Sequence, residues 1–246
     1  MPRIEWVKAC LNGGRRRDEH PAVPITAGQL ASEAAAAVAA GAEALHVHPR
    51  DQSGEQSVWA DDVGAAVTAV RQRCPGVPLG VTTGLWISDG DAGKRLAAVR
   101  RWGELPPAAR PDFASVNVSE PGFAELVDVL EQAGIAVEAG VWTPADARDL
   151  AAVGRTAWFR VLVEVFDEPA EATADTILAA LDESGVVGPR LLHGEDAACW
   201  PLVAHAARLG LPTRIGLEDT LTGPAGEPVT GNADLVRHAL AVRSRG

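Results

Sequence analysis

Two histidines one residue apart, His46 and His48, close the apolar run Ala42–His48 and are followed by Pro49-Arg50-Asp51. If that run is a β-strand, positions i and i+2 share a face. Two imidazoles on one face can hold a divalent metal once a third ligand arrives from elsewhere. The plain alternative is two partly buried histidines with separate hydrogen-bond partners. Late in the chain, Arg214-Ile215-Gly216-Leu217-Glu218-Asp219 sets a cation and two adjacent acids around a glycine that permits close approach. One acid could ligate while the other acts as a base. A surface acidic turn is the competing account.

Such side chains need elements to position them. Short apolar runs rich in β-branched residues alternate with alanine-rich helical stretches. The pattern predicts strands at Ile4–Leu11, Ala42–His48, Pro78–Thr82, Phe113–Asn117, Ile135–Ala139, Trp158–Val165, Arg190–His193 and Thr213–Leu217. Between and after them it predicts helices at Ala27–Ala40, Ala60–Arg73, Asp91–Trp102, Phe123–Ala133, Pro144–Ala152, Ala172–Ser184, Ala197–Leu209 and Asn232–Ser244, with Gly41, Gly134 and Gly210 as stops. Strands alternating with helices of this length mean βαβ units and a parallel sheet. Eight units in 246 residues is the size of a single-domain (β/α)8 TIM barrel. A doubly wound open sheet is the rival, weakened because no Gly-x-Gly-x-x-Gly turn follows the first strand.

In such a barrel the active site lies at the C-terminal ends of the strands. The polar residues there are Asn12, His46 with His48, Thr82 with Thr83, Ser115 with Asn117, Glu138, Glu164, His193 with Glu195, and Glu218 with Asp219. Polar groups buried at consecutive strand ends are costly unless they bind something. A third metal ligand could come from Glu218, Glu138, Glu164 or His193. Each of Glu138, Glu164, His193 and Glu195 could equally be a core residue satisfied by a neighbour. His205 and His238 fall on helices and read as surface residues. Trp86 and Trp142 fall in strand-to-helix loops, where they could cap a pocket or simply pack.

Composition excludes several classes. An apolar content of 47% supports one sizeable core. No apolar run of ~18 residues predicts a membrane span, and the N-terminal Met1-Pro2-Arg3-Ile4-Glu5-Trp6 lacks a signal peptide's apolar stretch. Three scattered cysteines, Cys10, Cys74 and Cys199, without Cys-x-x-Cys spacing fit a reducing, cytoplasmic setting. A net charge of −11 disfavours nucleic acid as a partner, although Arg15-Arg16-Arg17 could still bind an anion locally.

Four ordered segments carry a resemblance: Lys8-Ala9-Cys10-Leu11-Asn12-Gly13, His20-Pro21-Ala22-Val23-Pro24-Ile25-Thr26, Ala40-Gly41-Ala42 with His46-Val47-His48-Pro49-Arg50-Asp51, and Arg214 to Asp219. Together they resemble the β-keto acid cleavage enzymes, whose named member is the 3-keto-5-aminohexanoate cleavage enzyme. The chain is shorter than typical members. The resemblance implies a (β/α)8 barrel with zinc held by His46, His48 and Glu218. It implies an exchange in which a β-keto acid and acetyl-CoA, as co-substrate, give acetoacetate and a new acyl-CoA. The family's base aligns with Asp219, supported by Arg214, and its substrate-contacting hydroxyls with Thr82 (Thr83 adjacent) and Ser115. Asn12 and Glu138 are further substrate-lining candidates. On this reading the base takes a proton from the acetyl carbon, and the enolate attacks the ketone. A homo-oligomer, specifically a tetramer, is also implied.

One position departs from the family. Where the named member carries an acid that meets its substrate's amino group, this loop reads Gly13-Gly14-Arg15-Arg16-Arg17-Asp18. Arg15 would repel an ammonium, so a neutral or anionic distal group is expected; the arginines could instead contact coenzyme A phosphates or solvent. The rivals are another metal-dependent barrel aldolase or lyase and a non-catalytic metal- or ligand-binding barrel.

Overall fold

A computed structural model describes residues 4–166 and 168–244; Met1-Pro2-Arg3 at the N-terminus considered above lie outside them. The expected alternation forms: β1 (Val7–Cys10), α1 (Ala27–Ala39), β2 (Ala44–Val47), α2 (Ala60–Arg73), β3 (Leu79–Thr82), α3 (Ala92–Arg100), β4 (Phe113–Asn117) and α4 (Phe123–Gln132). It continues with β5 (Ala136–Val141), α5 (Pro144–Ala152), β6 (Arg160–Val165), α6 (Ala170–Glu183), β7 (Arg190–Gly194), α7 (Cys199–Leu209), β8 (Thr213–Ile215) and α8 (Asn232–Arg243). All strands are parallel, in the order β7-β6-β5-β4-β3-β2-β1-β8. The β7–β8 seam lacks a ladder but is bridged by Leu192 N–H donating to the Pro212 carbonyl (3.0 Å) and Thr213 Oγ1 donating to the Leu192 carbonyl (2.7 Å). Eight parallel strands with intervening helices thus make a nearly closed (β/α)8 barrel.

Local chemistry fixes the helix starts. Thr26 caps α1 in a reciprocal box with Gln29, and Thr143 caps α5 with Asp146 while Pro144 occupies the first turn. Asp91, expected as the first residue of the third helix, is instead its cap, accepting from the Lys94 N–H. The last strand is shorter than expected. Its chain leaves the sheet at Gly216, whose carbonyl accepts from the Asp219 (2.9 Å) and Thr220 (3.1 Å) N–H groups.

The helices bury a continuous apolar layer against the outside of the barrel, with Leu30, Val67, Trp102, Leu130, Leu150, Ile177, Leu202 and Leu235 among its members. The inside is different. A small separate apolar cluster, Ile4, Ala44, Leu162 and Leu191, shares it with charge. Strand register pairs Lys8 with Arg214, Cys10 with His46, Thr82 with Ser115, Ser115 with Glu138, and Glu164 with His193. Inward-facing polar residues from every strand are therefore brought onto neighbouring levels, with the site above them.

Candidate active site

A cavity of about 500 Å³ opens at the C-terminal ends of the strands. His46 and His48 reach it from β2 and the residue just beyond, and Glu218 reaches it from the turn after β8. His48 Nε2 lies 3.4 Å from Glu218 Oε1, and His46 Nε2 3.8 Å from Glu218 Oε2. One ligand atom from each of the three residues falls within 4.8 Å of the others, and all three are buried. Among the described residues Glu218 Oε2 and His46 Nδ1 have no hydrogen-bond partner. A buried carboxylate oxygen facing nitrogen lone pairs is costly when no cation sits between them. Burial pushes the His46 pKa down to about 3, which keeps the imidazole neutral and its lone pair free; the nearby Glu218 charge only partly opposes this. Two imidazoles and one carboxylate are the donor set of a three-ligand site with open positions, so the residues fit a divalent ion.

Backbone geometry brings Glu218 there. A Cβ on Gly216 would strike the Cys10 carbonyl, so β8 can lie this close to β1 only with glycine. Gly13, at φ +50°, faces Glu218, and a Cβ there would collide with the Glu218 side chain. The turn that ends β8 then aims Glu218 at the histidines and Asp219 at Arg214.

Arg214 organises the acids. Its Nε donates to Asp219 Oδ1 (2.9 Å), and its Nη2 lies 2.8 Å from the same oxygen, 3.0 Å from Glu218 Oε1, 3.2 Å from Glu164 Oε1 and 3.4 Å from Glu195 Oε1. Glu195, Glu218 and Asp219 also cluster closely enough to suggest a second cation, but the guanidinium already supplies that charge. Burial raises Asp219 to about 7 against the pull of Arg214, with Glu218 adding to the rise. Its Oδ2 has no hydrogen-bond partner among the described residues. Burial likewise lifts Glu195 to about 8, opposed by Arg214. Glu164 goes the other way, to about 2: the burial cost is outweighed by His193 (3.1 Å) and Arg214, while Trp142 Nε1 donates to its other oxygen (2.6 Å).

Other expected residues divide into those on the cavity wall and those behind it. Arg15, Thr82, Ser115 and Glu195 line the cavity, with Asn117, Trp86 and Trp142. Asn12 does not. It is fully buried, donates to the His48 (2.8 Å) and Pro24 (3.2 Å) carbonyls and accepts from the His48 N–H (2.9 Å), so it fixes the backbone of His48. Thr83 is also buried, its hydroxyl spent on the Ser115 carbonyl (2.6 Å). Glu138, expected at the substrate, lies away from the wall, clamped between Lys8 Nζ (2.5 Å) and Arg160 Nη1 (2.7 Å). Burial alone would raise its pKa, but those two cations hold it well below the carboxylate range.

Arg15 carries a pairing the sequence did not announce: Nη1 lies 3.2 Å from Glu19 Oε1, and Nη2 meets Asp196. Gln56, Glu19, Asp196 and Phe166 were missed. Gln56 could have been found only through the Asp51-x-x-Gly54 turn, which folds the chain back on His48.

The architecture and the site define a (β/α)8 barrel with a His-His-Glu cluster beside an arginine-held aspartate. Solved structures of similar shape include apo ObcA (TM-score 0.71, 20% identity, covering 92% of this chain and 62% of that one). Another is type I 3-dehydroquinate dehydratase from Clostridium difficile (TM-score 0.64, 11% identity, covering 99% and 94%). At such identities the likeness concerns the fold alone. The model of the beta-keto acid cleavage enzyme family matches residues 6–194 and 191–245, and the chain belongs to that family. Curated relatives include 3-keto-5-aminohexanoate cleavage enzyme of Fusobacterium nucleatum subsp. nucleatum, 34% identical over 79 residues (32% of this chain, 29% of the relative). They also include 3-oxoadipate:acetyl-CoA acetyltransferase of Cupriavidus necator, 32% identical over 112 residues (46% and 36%). The matched stretches thus span about a third of these relatives' own lengths.

Proposed function

We propose that the chain is a zinc-dependent β-keto acid cleavage enzyme that exchanges a β-keto acid with acetyl-CoA, giving acetoacetate and a new acyl-CoA. The observation that carries this is the convergence of His46, His48 and Glu218 beside the Asp219–Arg214 pair in a chain of this family. An ion held by the three ligands would supply Lewis-acid polarisation of the β-keto acid's oxygens.

The net exchange determines which bonds change. The bond between C2 and C3 of the keto acid breaks, and C2 ends bonded to the acetyl carbonyl carbon. The proton that must leave is therefore on C2, between ketone and carboxylate, which corrects the acetyl-carbon deprotonation implied by the resemblance. Asp219 is fully buried behind the cavity wall, next to the wall residues Glu218 and Arg214; its Oδ2, without a hydrogen-bond partner among the described residues, takes that proton while Arg214 anchors Oδ1. The carbanion attacks the acetyl carbonyl and expels the coenzyme A thiolate. The thiolate adds to the C3 ketone, the C2–C3 bond breaks, and the acyl-CoA leaves. C2 of acetoacetate recovers its proton from Asp219. Thr82 and Ser115 line the cavity, and on this reading their hydroxyls donate to substrate oxygens.

The distal substrate group is neutral or anionic. A neutral group leaves the Arg15 pairs with Glu19 and Asp196 intact, an anion must displace a carboxylate from them, and an ammonium meets the guanidinium together with those two carboxylates. The active form is a homotetramer, with sedimentation as the check. Among the described residues no helix is long and apolar enough to cross a membrane; we take the site of action as cytoplasmic and the partners as small molecules. The deciding experiment incubates β-keto acids of neutral, anionic and cationic distal charge with acetyl-CoA and scores acetoacetate. Neutral and anionic compounds are expected to react; cleavage without any coenzyme A thioester would overturn the mechanism.

A further inference from the structure

The motif His48-Pro49-Arg50-Asp51 continues into a small hairpin with no part in the chemistry above. Asp51 Oδ1 accepts from Ser53 N–H (2.8 Å), Ser53 Oγ (2.6 Å) and Glu55 N–H (3.1 Å), which makes the turn. Ser57 N–H donates to the Pro49 carbonyl (2.9 Å), and Arg50 pairs with Gln56 across the hairpin. Arg50 Nη2 ties this unit to the loop after β1, donating to the Gly13 (2.6 Å) and Arg15 (3.0 Å) carbonyls. The outcome is that Gln56, half-buried, returns to His48 with its Oε1 2.6 Å from Nδ1.

The same Oε1 lies 3.4 Å from Trp86 Nε1, whose ring stacks on His48 at 24° and 6.5 Å between centroids. Indole N–H only donates, so the Gln56 atom it faces is the carbonyl oxygen and not the amide nitrogen. A carbonyl oxygen only accepts, so His48 Nδ1 must carry the proton. In the neutral ring this leaves the lone pair on Nε2, the atom that faces Glu218 at 3.4 Å. His46 has no such arrangement, its Nδ1 being buried and without a hydrogen-bond partner.

We infer that Gln56 is a positioning residue for the metal centre: it fixes the tautomer and ring orientation of His48, and Trp86 fixes which way the Gln56 amide points. The inference rests on the metal reading above. Partners of a ligating histidine's second nitrogen commonly change metal affinity about 10–100-fold when removed. Two measurements on the full chain test it. In metal-free wild-type protein labelled with 15N-histidine, long-range proton–nitrogen correlation should show His48 protonated at Nδ1, with that preference lost in Gln56→Ala. Chelator competition should show zinc affinity about 10–100-fold weaker in Gln56→Ala, restored by Gln56→Glu, and weakened to a smaller degree by Trp86→Phe. A wild-type His48 protonated at Nε2 and not at Nδ1, or zinc affinity unchanged in Gln56→Ala, would overturn the assignment while leaving the metal reading in place. Wild-type protein that takes up no divalent ion overturns the metal reading itself, and this assignment with it. The tautomer measurement needs no variant, so a poorly folding Gln56→Ala would not shield the inference.

Discussion

Glu218 and Asp219 are neighbours in the chain with different environments, and that difference yields separable predictions. On the proposed metal reading His46→Ala removes a ligand, so purified protein should lose stoichiometric zinc by elemental analysis while keeping its circular dichroism spectrum. Asp219→Asn keeps the size and the Arg214 contact but cannot accept a proton; turnover should fall about 10²–10⁴-fold with zinc retained. A variant that kept wild-type turnover would remove Asp219 as the base. The histidine pair and the late Glu218-Asp219 step were legible because a period of two puts i and i+2 on one face and a family pattern joined the two segments. The position of Glu138 was not legible. A strand-end acid can point to the cavity or into the layer beneath it, and the cations that decide, Lys8 and Arg160, lie far away in sequence.

At the level of elements, eight strands and eight helices could be read from apolar periodicity, and errors fell where a side chain or turn intervened. Asp91 moved outside its helix by capping it, and β8 ended at the Gly216 turn. The hairpin that returns Gln56 to His48 leaves no periodic trace because its information is in the side-chain hydrogen bonds of Asp51. The loop after β1 allows a sharp test. Gly13→Ala puts a Cβ into the left-handed region, costing about 1 kcal/mol, and into contact with Glu218. Zinc occupancy should fall while the melting temperature changes by only a few degrees; full occupancy in that variant would show that Glu218 can move without consequence.

For the whole molecule, the barrel interior holds a buried ion layer, with Glu138 between Lys8 and Arg160 and Phe113 beside both cations (5.7 and 5.3 Å). Glu138→Gln leaves two buried cations without their anion and should destabilise the fold by about 3–5 kcal/mol at neutral pH, measured by denaturant unfolding. Because the folded-state pKa of Glu138 lies below its usual value near 4.5, its stabilisation is complete above that value and is lost as pH falls toward the folded one. The gap between wild type and variant should therefore narrow on acidification; a gap independent of pH would mean that the carboxylate charge is not what stabilises the layer. The pairing of β8 with β1 has a further consequence, for biosynthesis. His46 and His48 leave the ribosome well before Thr213–Ile215, so on the proposed metal reading their third ligand arrives only after that strand has closed against the first. On that reading a product stalled before β8 would hold two donors and bind zinc weakly, whereas a chain that includes β8 would gain the ion's full binding energy as folding energy. Zinc retention would then tell a barrel closed by β8 from one stalled before it.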